Sequence, residues 1–304
     1  MPSFTRSDVT FPSGNGRCAA WYYAPRDDGE GVPIIVMAHG FAGVRRLRLD
    51  SYAEKFADAG YRALLFDYRH FGDSPGEPRQ LLDIDQQLAD WRCAVVYARS
   101  TSAAAPARVV LWGTSLGGGH VLTTAARDKG LTAVVAQVPH VSGIAAARSV
   151  GTLNSVRLAA LGLVDLGRTA LGRSPYYIPA AGAPGTVAAM TSPDAVPGMD
   201  QLISQSNIGR QIDPMELMVS ARVILRIARY APGRRAAQID CPVLVQIANQ
   251  DAITPTRVAD RAARRIPQAT VKHYDLKHFD PYVEPHFTGV VADQLAFLEG
   301  AAPL

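Results

Sequence analysis

The chain has 304 residues, 48% hydrophobic and 19% charged, a balance that excludes a disordered segment and supports one large core or two modest ones. A net charge of +4 and a pI near 9.0 come from arginines scattered along the chain without a basic stripe, so no nucleic-acid partner is expected. Cys18, Cys93 and Cys241 are odd in number, far apart and without metal-ligand spacing, which argues against a disulfide framework or metal centre and for a reducing compartment.

Residues 1–6 have no apolar core of the length a signal peptide needs, and no run approaches about eighteen apolar residues. A cytoplasmic protein with no membrane partner is therefore expected. Residues 4–24 alternate around Gly14-Asn15-Gly16 and read as a hairpin opening a sheet. Residues 33–38 form a buried strand ending in His39-Gly40-Phe41-Ala42-Gly43. A helix over 46–59 is expected next, with Arg45, Arg46 and Arg48 on its solvated face, followed by Gly60 as a C-cap and a strand over 62–67. Acidic residues Asp83, Asp85 and Asp90 start and line a helix over 83–100, where they favour its dipole.

Residues 109–112 form a buried strand running into Gly113-Thr114-Ser115-Leu116-Gly117 and then into a helix to about 127. This Gly-x-Ser-x-Gly pattern places a serine on a sharp strand-to-helix turn. Side chains two residues to either side would collide there, so glycine is needed. A strand over 132–138 ends at Pro139-His140. From 141 to 238 the strand-helix alternation stops: residues 144–171 have helical spacing, 174–185 are proline-rich and irregular, and 213–230 read as a second helical segment. The core pattern resumes with a strand over 242–248, a loop carrying Asp251, a helix over 255–265, a strand over 270–275, a loop carrying His278 and a helix over 285–298.

The order Ser115, Asp251, His278, with both partners after predicted strands, gives a nucleophile, a base within reach and an orienting carboxylate. Asp240, Asp275 and Asp280 also lie near strand ends, and His273 and His286 fall within a strand and a helix, so Asp251 and His278 are favoured. In these motifs the chain resembles the α/β-hydrolase superfamily over almost its whole length. It is similar to the dienelactone hydrolase, serine aminopeptidase and X-prolyl dipeptidyl-peptidase branch.

That resemblance implies an α/β fold with a mostly parallel eight-stranded sheet flanked by helices, the core comprising 1–140 and 239–304 and an inserted helical cap 141–238. It implies that His39-Gly40-Phe41-Ala42-Gly43 supplies the Phe41 N–H to an oxyanion hole, with the Leu116 N–H as second donor, while Asp67 and Arg69 brace neighbouring loops. His39 is expected to order its loop through backbone hydrogen bonds. His39, His140 and Tyr282 are candidate pocket residues, His140 either shaping the pocket or serving its loop passively.

The expected function is a serine hydrolase acting on a carboxylic ester or thioester of a small to medium, largely apolar substrate. Acyl transfer, peptidase activity or a non-catalytic ligand-binding role are the alternatives. No cofactor and no metal is expected, the partner is a small-molecule substrate, and a homo-oligomer is compatible with the sequence.

Overall fold

A computed structural model describes residues 3–101 and 107–304, so the first two residues of the amino-terminal segment lie outside it. The chain opens with the hairpin β1 (Phe4–Ser13) and β2 (Gly16–Pro25), paired in register from Phe4 opposite Pro25 to Ser13 opposite Gly16. It continues through β3 (Ile34–Ala38), α1 (Leu49–Asp58), β4 (Arg62–Phe66), α2 (Ile84–Ser100), β5 (Val109–Thr114), α3 (Leu116–Ala125) and β6 (Ala133–Gln137). Between β6 and the rest of the sheet come α4 (Gly143–Ser149), α5 (Thr152–Ala170), β7 (Tyr177–Pro179), α6 (Ala195–Ser204), β8 (Met218–Ser220) and α7 (Val223–Ile227). The chain then returns through β9 (Val243–Ala248), α8 (Thr256–Ala263), β10 (Ala269–Tyr274) and α9 (Phe287–Ala301).

Eight strands form one sheet in the order β1-β2-β4-β3-β5-β6-β9-β10. Only the β1–β2 and β2–β4 pairings are antiparallel. Strands β3, β4, β5, β6 and β9 are buried at every position because helices cover both faces, which is why their sequences read as continuous apolar runs. Strand β10 at the edge has only half-buried and exposed residues. Two buried clusters form the core, one on each side of the sheet. The expected fold is observed.

Several local expectations are corrected. Helix α1 begins at Leu49, preceded by Arg48 in the left-handed region at φ 68°, so Arg45 and Arg46 lie in the turn before it. Arg45 is not solvated: it is 3% exposed, pairs with Asp67 and with Asp73 at 2.7 Å, and lies 4.3 Å over the Trp21 ring. Arg48 donates to the carbonyls of Tyr282 and Gln205. Asp83 caps α2 through the Gln86 N–H, but Asp90 serves no dipole. Its fully buried carboxylate takes hydrogen bonds from Ser13 and from Arg69 at 2.6 Å.

The expected helix over 144–171 is split by Gly151 at φ 87° into α4 and α5. The expected helical segment over 213–230 is a short 3-10 turn, then β8, then the five-residue α7. Tertiary partners override its helical spacing: β8 pairs with β7, Gln80 Nε2 holds the carbonyls of Met215 and Met218, and Asp165 accepts the Arg222 N–H. Helix α6 was not anticipated from the pattern, because Pro197 and Gly198 fall in its first turns.

Candidate active site

Ser115 stands between β5 and α3 with φ 53° and ψ −119°, a conformation a non-glycine residue adopts only when its surroundings enforce it. Those surroundings are tight. A Cβ at Gly113 would lie 2.3 Å from the Gly117 carbonyl oxygen, one at Gly117 would lie 2.6 Å from the His39 oxygen, and one at Gly40 would lie 2.9 Å from the Ser115 Cβ. The Ser115 N–H donates to the Gln137 carbonyl at 2.9 Å, and its own carbonyl accepts the His140 N–H at 2.8 Å. The turn is thereby fixed from β6 on one side and from the loop after β3 on the other.

Loops following β9 and β10 bring the other two predicted residues to the serine. His278 Nε2 lies 3.0 Å from Ser115 Oγ, and its Nδ1 lies 2.6 Å from Asp251 Oδ2. All three residues are at most 9% exposed. Asp251 Oδ1 accepts the N–H groups of Ile253 and Thr254, and Oδ2 accepts the Thr254 hydroxyl at 2.7 Å. Burial pushes its carboxyl up, but facing His278 and the hydrogen bonds from His278 and Thr254 outweigh this and hold it below the ordinary carboxylate value. A carboxylate kept ionised here fixes the proton on Nδ1 and leaves Nε2 free to accept one from Ser115.

Ser115 opens onto two cavities. The larger, about 350 Å³, has Phe41, Ser115, Leu116 and His140 at its floor and is roofed by the segment after β6 through residues such as Val150, Leu158 and Leu225. The smaller, about 50 Å³, lies against His39, Phe41, His278 and Tyr282. The three predicted pocket residues thus divide between them. His140 stacks on Tyr230 at 6.1 Å, and burial, with a smaller contribution from His278, lowers its pKa to about 4. His39 Nδ1 donates to the Gly40 carbonyl at 3.0 Å, so it orders the loop as expected, and burial lowers its pKa to about 4. The Tyr282 hydroxyl meets Thr114 Oγ1.

Asp67 braces the same floor by accepting the N–H groups of Arg45 and Asp73. Of the rival residues, Asp240 pairs with Lys129, Asp275 accepts from Gln250, Asp280 accepts the Lys277 N–H and His273 meets Asn249, all away from the serine.

A buried layer beneath the site was missed. Gln137, Gln246 and Gln294, each at most 1% exposed, bond to one another through the Gln294 amide and tie Trp112, Thr114 and Tyr274 together. Glutamines inside the apolar runs of β6 and β9 were the available signal, since a buried amide must find partners. Among the described residues no group of three or more His, Cys, Asp or Glu is placed to hold a metal ion, and no helix is long and apolar enough to cross a membrane.

Comparison with known proteins places the chain in a family and a fold. Residues 30–164 match the family model described as serine aminopeptidase, S33. The chain is 44% identical over 298 residues to the quorum-quenching protein AidA of Acinetobacter baumannii, covering 98% of this chain and 95% of that one. It is 30% identical over 263 residues to the polyketide transferase ATR5 of Stachybotrys chlorohalonatus, covering 83% and 82%. Among solved structures, the α/β hydrolase GrgF from a Penicillium species superposes with a TM-score of 0.81 at 22% identity, covering 99% of this chain and all of that one.

Proposed function

From the premise that the chain belongs to the α/β-hydrolase superfamily, a group of hydrolytic and acyl-transfer enzymes, we propose that it is a serine hydrolase of apolar carboxylic esters or thioesters. The single observation that carries this reading is the contact series from Ser115 through His278 to Asp251 at the floor of an apolar cavity. His278 takes the serine proton as Oγ attacks the ester carbonyl, and Asp251 stabilises the imidazolium that results. The oxygen of the tetrahedral intermediate falls to the N–H groups of Phe41 and Leu116. The second of these is among the first four N–H groups of α3, which have no acceptor within the helix, and the helix dipole there also favours negative charge. His278 returns the proton to the leaving alcohol or thiol, and water resolves the acyl-enzyme.

Residues 141–238 act as a cap that sets substrate size, and 1–140 with 239–304 form the catalytic core. A cavity of about 350 Å³ lies near the small end of ligand sites, which fits a short to medium acyl chain. The quorum-quenching relative points within this class to a signalling molecule as the substrate. Free Cys18, Cys93 and Cys241 fit a reducing, cytoplasmic setting.

Fluorophosphonate labelling followed by intact mass, with Ser115→Ala as control, tests the nucleophile, and p-nitrophenyl esters and thioesters of increasing chain length size the cavity. One adduct, lost in the variant, and a maximum at short to medium chains are expected. A wild type that takes no label and opens no ester would overturn the reading. Acyl transfer is the second reading, favoured by the 30% identity to a polyketide transferase and by the roof over Ser115. An added alcohol or amine that diverts the acyl group from water would establish it.

A further inference from the structure

We propose that the outer face of α5, continued by α4, docks on an anionic lipid surface, so that the enzyme draws its ester from the bilayer. Seven of the thirteen large hydrophobic residues exposed among the described residues fall between 144 and 171: Ile144, Leu153, Val156, Leu163, Val164, Leu166 and Leu171. Leu153, Val156, Leu163, Val164 and Leu171, with Ala160 and Gly167 between them, recur at intervals of three and four and make one stripe along α5. The opposite side of the helix carries Leu158, Gly162 and Asp165, which are buried. The helix is therefore apolar on two faces, of which only one is covered.

The charges around this stripe choose its partner. Between 143 and 173 the only acidic residue is Asp165, fully buried and held by Arg222, while Arg148, Arg157 and Arg173 are exposed and Arg168 is half-buried. Arg157 and Arg168 are eleven residues, about three helical turns, apart and so share one edge of the stripe. A second copy would bring arginines toward arginines with no exposed acid on α4 or α5 to answer them. A bilayer carrying phosphatidylglycerol answers both features at once, with acyl chains for the leucines and anionic headgroups for the arginines. A surface-lying helix needs no spanning run, so the sequence-based expectation of no membrane partner, which rested on the lack of such a run, does not reach this mode of binding.

The inner side of the same helix lines the cavity above Ser115 through Ser155, Leu158 and Ala159. Docking would hold the roof of the cavity at the surface where an apolar ester is most concentrated. The delivery of substrate rests on the hydrolase reading; the docking itself does not.

Co-sedimentation of the Ser115→Ala protein with vesicles of phosphatidylcholine alone or with phosphatidylglycerol, at low and high salt, tests the docking. Salt-sensitive binding to the anionic vesicles is expected. It should fall about tenfold both in Val156→Asp/Leu163→Asp and in Arg148→Glu/Arg157→Glu. On the wild-type background both pairs keep the thermal transition and the cleavage of a short soluble ester, since none of the four residues lines the cavity. Binding that is absent, or equal for both lipids, overturns the proposal. So does a wild type that light scattering shows to be a dimer and that Val156→Asp/Leu163→Asp makes monomeric without lipid. A protein that binds anionic vesicles but, as wild type, cleaves no ester retains the docking surface and loses the hydrolase reading.

Discussion

The turn at Ser115 and the segment roofing it are built on opposite terms. Around the serine the backbone is so close that three separate glycines each exclude a methyl group, and hydrogen bonds to the Gln137 carbonyl of β6 and from the His140 amide hold Ser115 in position. The roof is assembled from short pieces, the two-stranded β7–β8 ladder, a five-residue α7 and the amphipathic α5, tied through one buried ion pair in which Asp165 takes two bonds from the Arg222 guanidinium. It also exposes most of the molecule's uncovered leucines and valines. Reacting atoms must be placed within fractions of an ångström, whereas a cavity for an apolar chain requires only volume and the exclusion of water. The two regions are held accordingly.

The sharpest way to test that contrast is to disable the chemistry while leaving both regions folded. Asp251→Asn keeps the side-chain shape but removes the charge that fixes the His278 proton, so kcat should fall about 10⁴-fold with little change in melting temperature. Tightening the turn is the next largest change. Gly113→Ala puts a methyl 2.3 Å from a carbonyl oxygen, and a loss of about 3 kcal/mol or more, measured by urea unfolding, is expected together with loss of activity.

Loosening the roof instead gives a different signature. Asp165→Ala leaves the Arg222 guanidinium without its partner, at a cost of about 3 kcal/mol. Because the pair lies in the insertion, faster hydrogen exchange there and a blurred chain-length preference should appear before the sheet is affected. The Asp165 carboxyl is pushed up by burial, but the Arg222 bonds outweigh this and hold it low, so the pair's contribution is present at neutral pH and lost only as pH falls through that lowered value.

Mild acid should act through buried histidines, of which His120 and His140 reach the roofing segment at Tyr230. His39, His120 and His140 are lowered, by burial first, from the ordinary 6.5 to about 4, 3 and 4. The unfolded chain takes up these protons as pH falls below 6.5 while the folded protein does not. Stability is therefore complete above pH 6.5 and declines toward pH 4, by about 2 kcal/mol for each histidine at pH 5. Melting curves between pH 7.5 and 5 check this, and His120→Gln should flatten part of the slope.

How much of this was legible in the sequence follows the same division. The elbow was readable because a strained serine demands glycine at fixed offsets, and the strands because burial on both faces leaves unbroken apolar runs. Asp251 and His278 could be chosen from their place after strands, although only folding set the 2.6 and 3.0 Å contacts. Arg45, Asp90 and the three buried glutamines were misread or overlooked. A charged or amide side chain reads as surface until the fold supplies a partner such as Asp67 or Arg69.

The sequence by itself determined the sheet, its order of chemistry-bearing loops and the serine's turn, because local sterics and periodic burial act between near neighbours. The tertiary structure alone decided the shape of the segment from 143 to 238, where helical spacing yielded to β7–β8 pairing and to the capture of backbone groups by Gln80 and Asp165. It also decided which face of α5 stays uncovered. A helix apolar on two sides encodes two partners in its sequence, and only packing shows that one of them is the body of the protein.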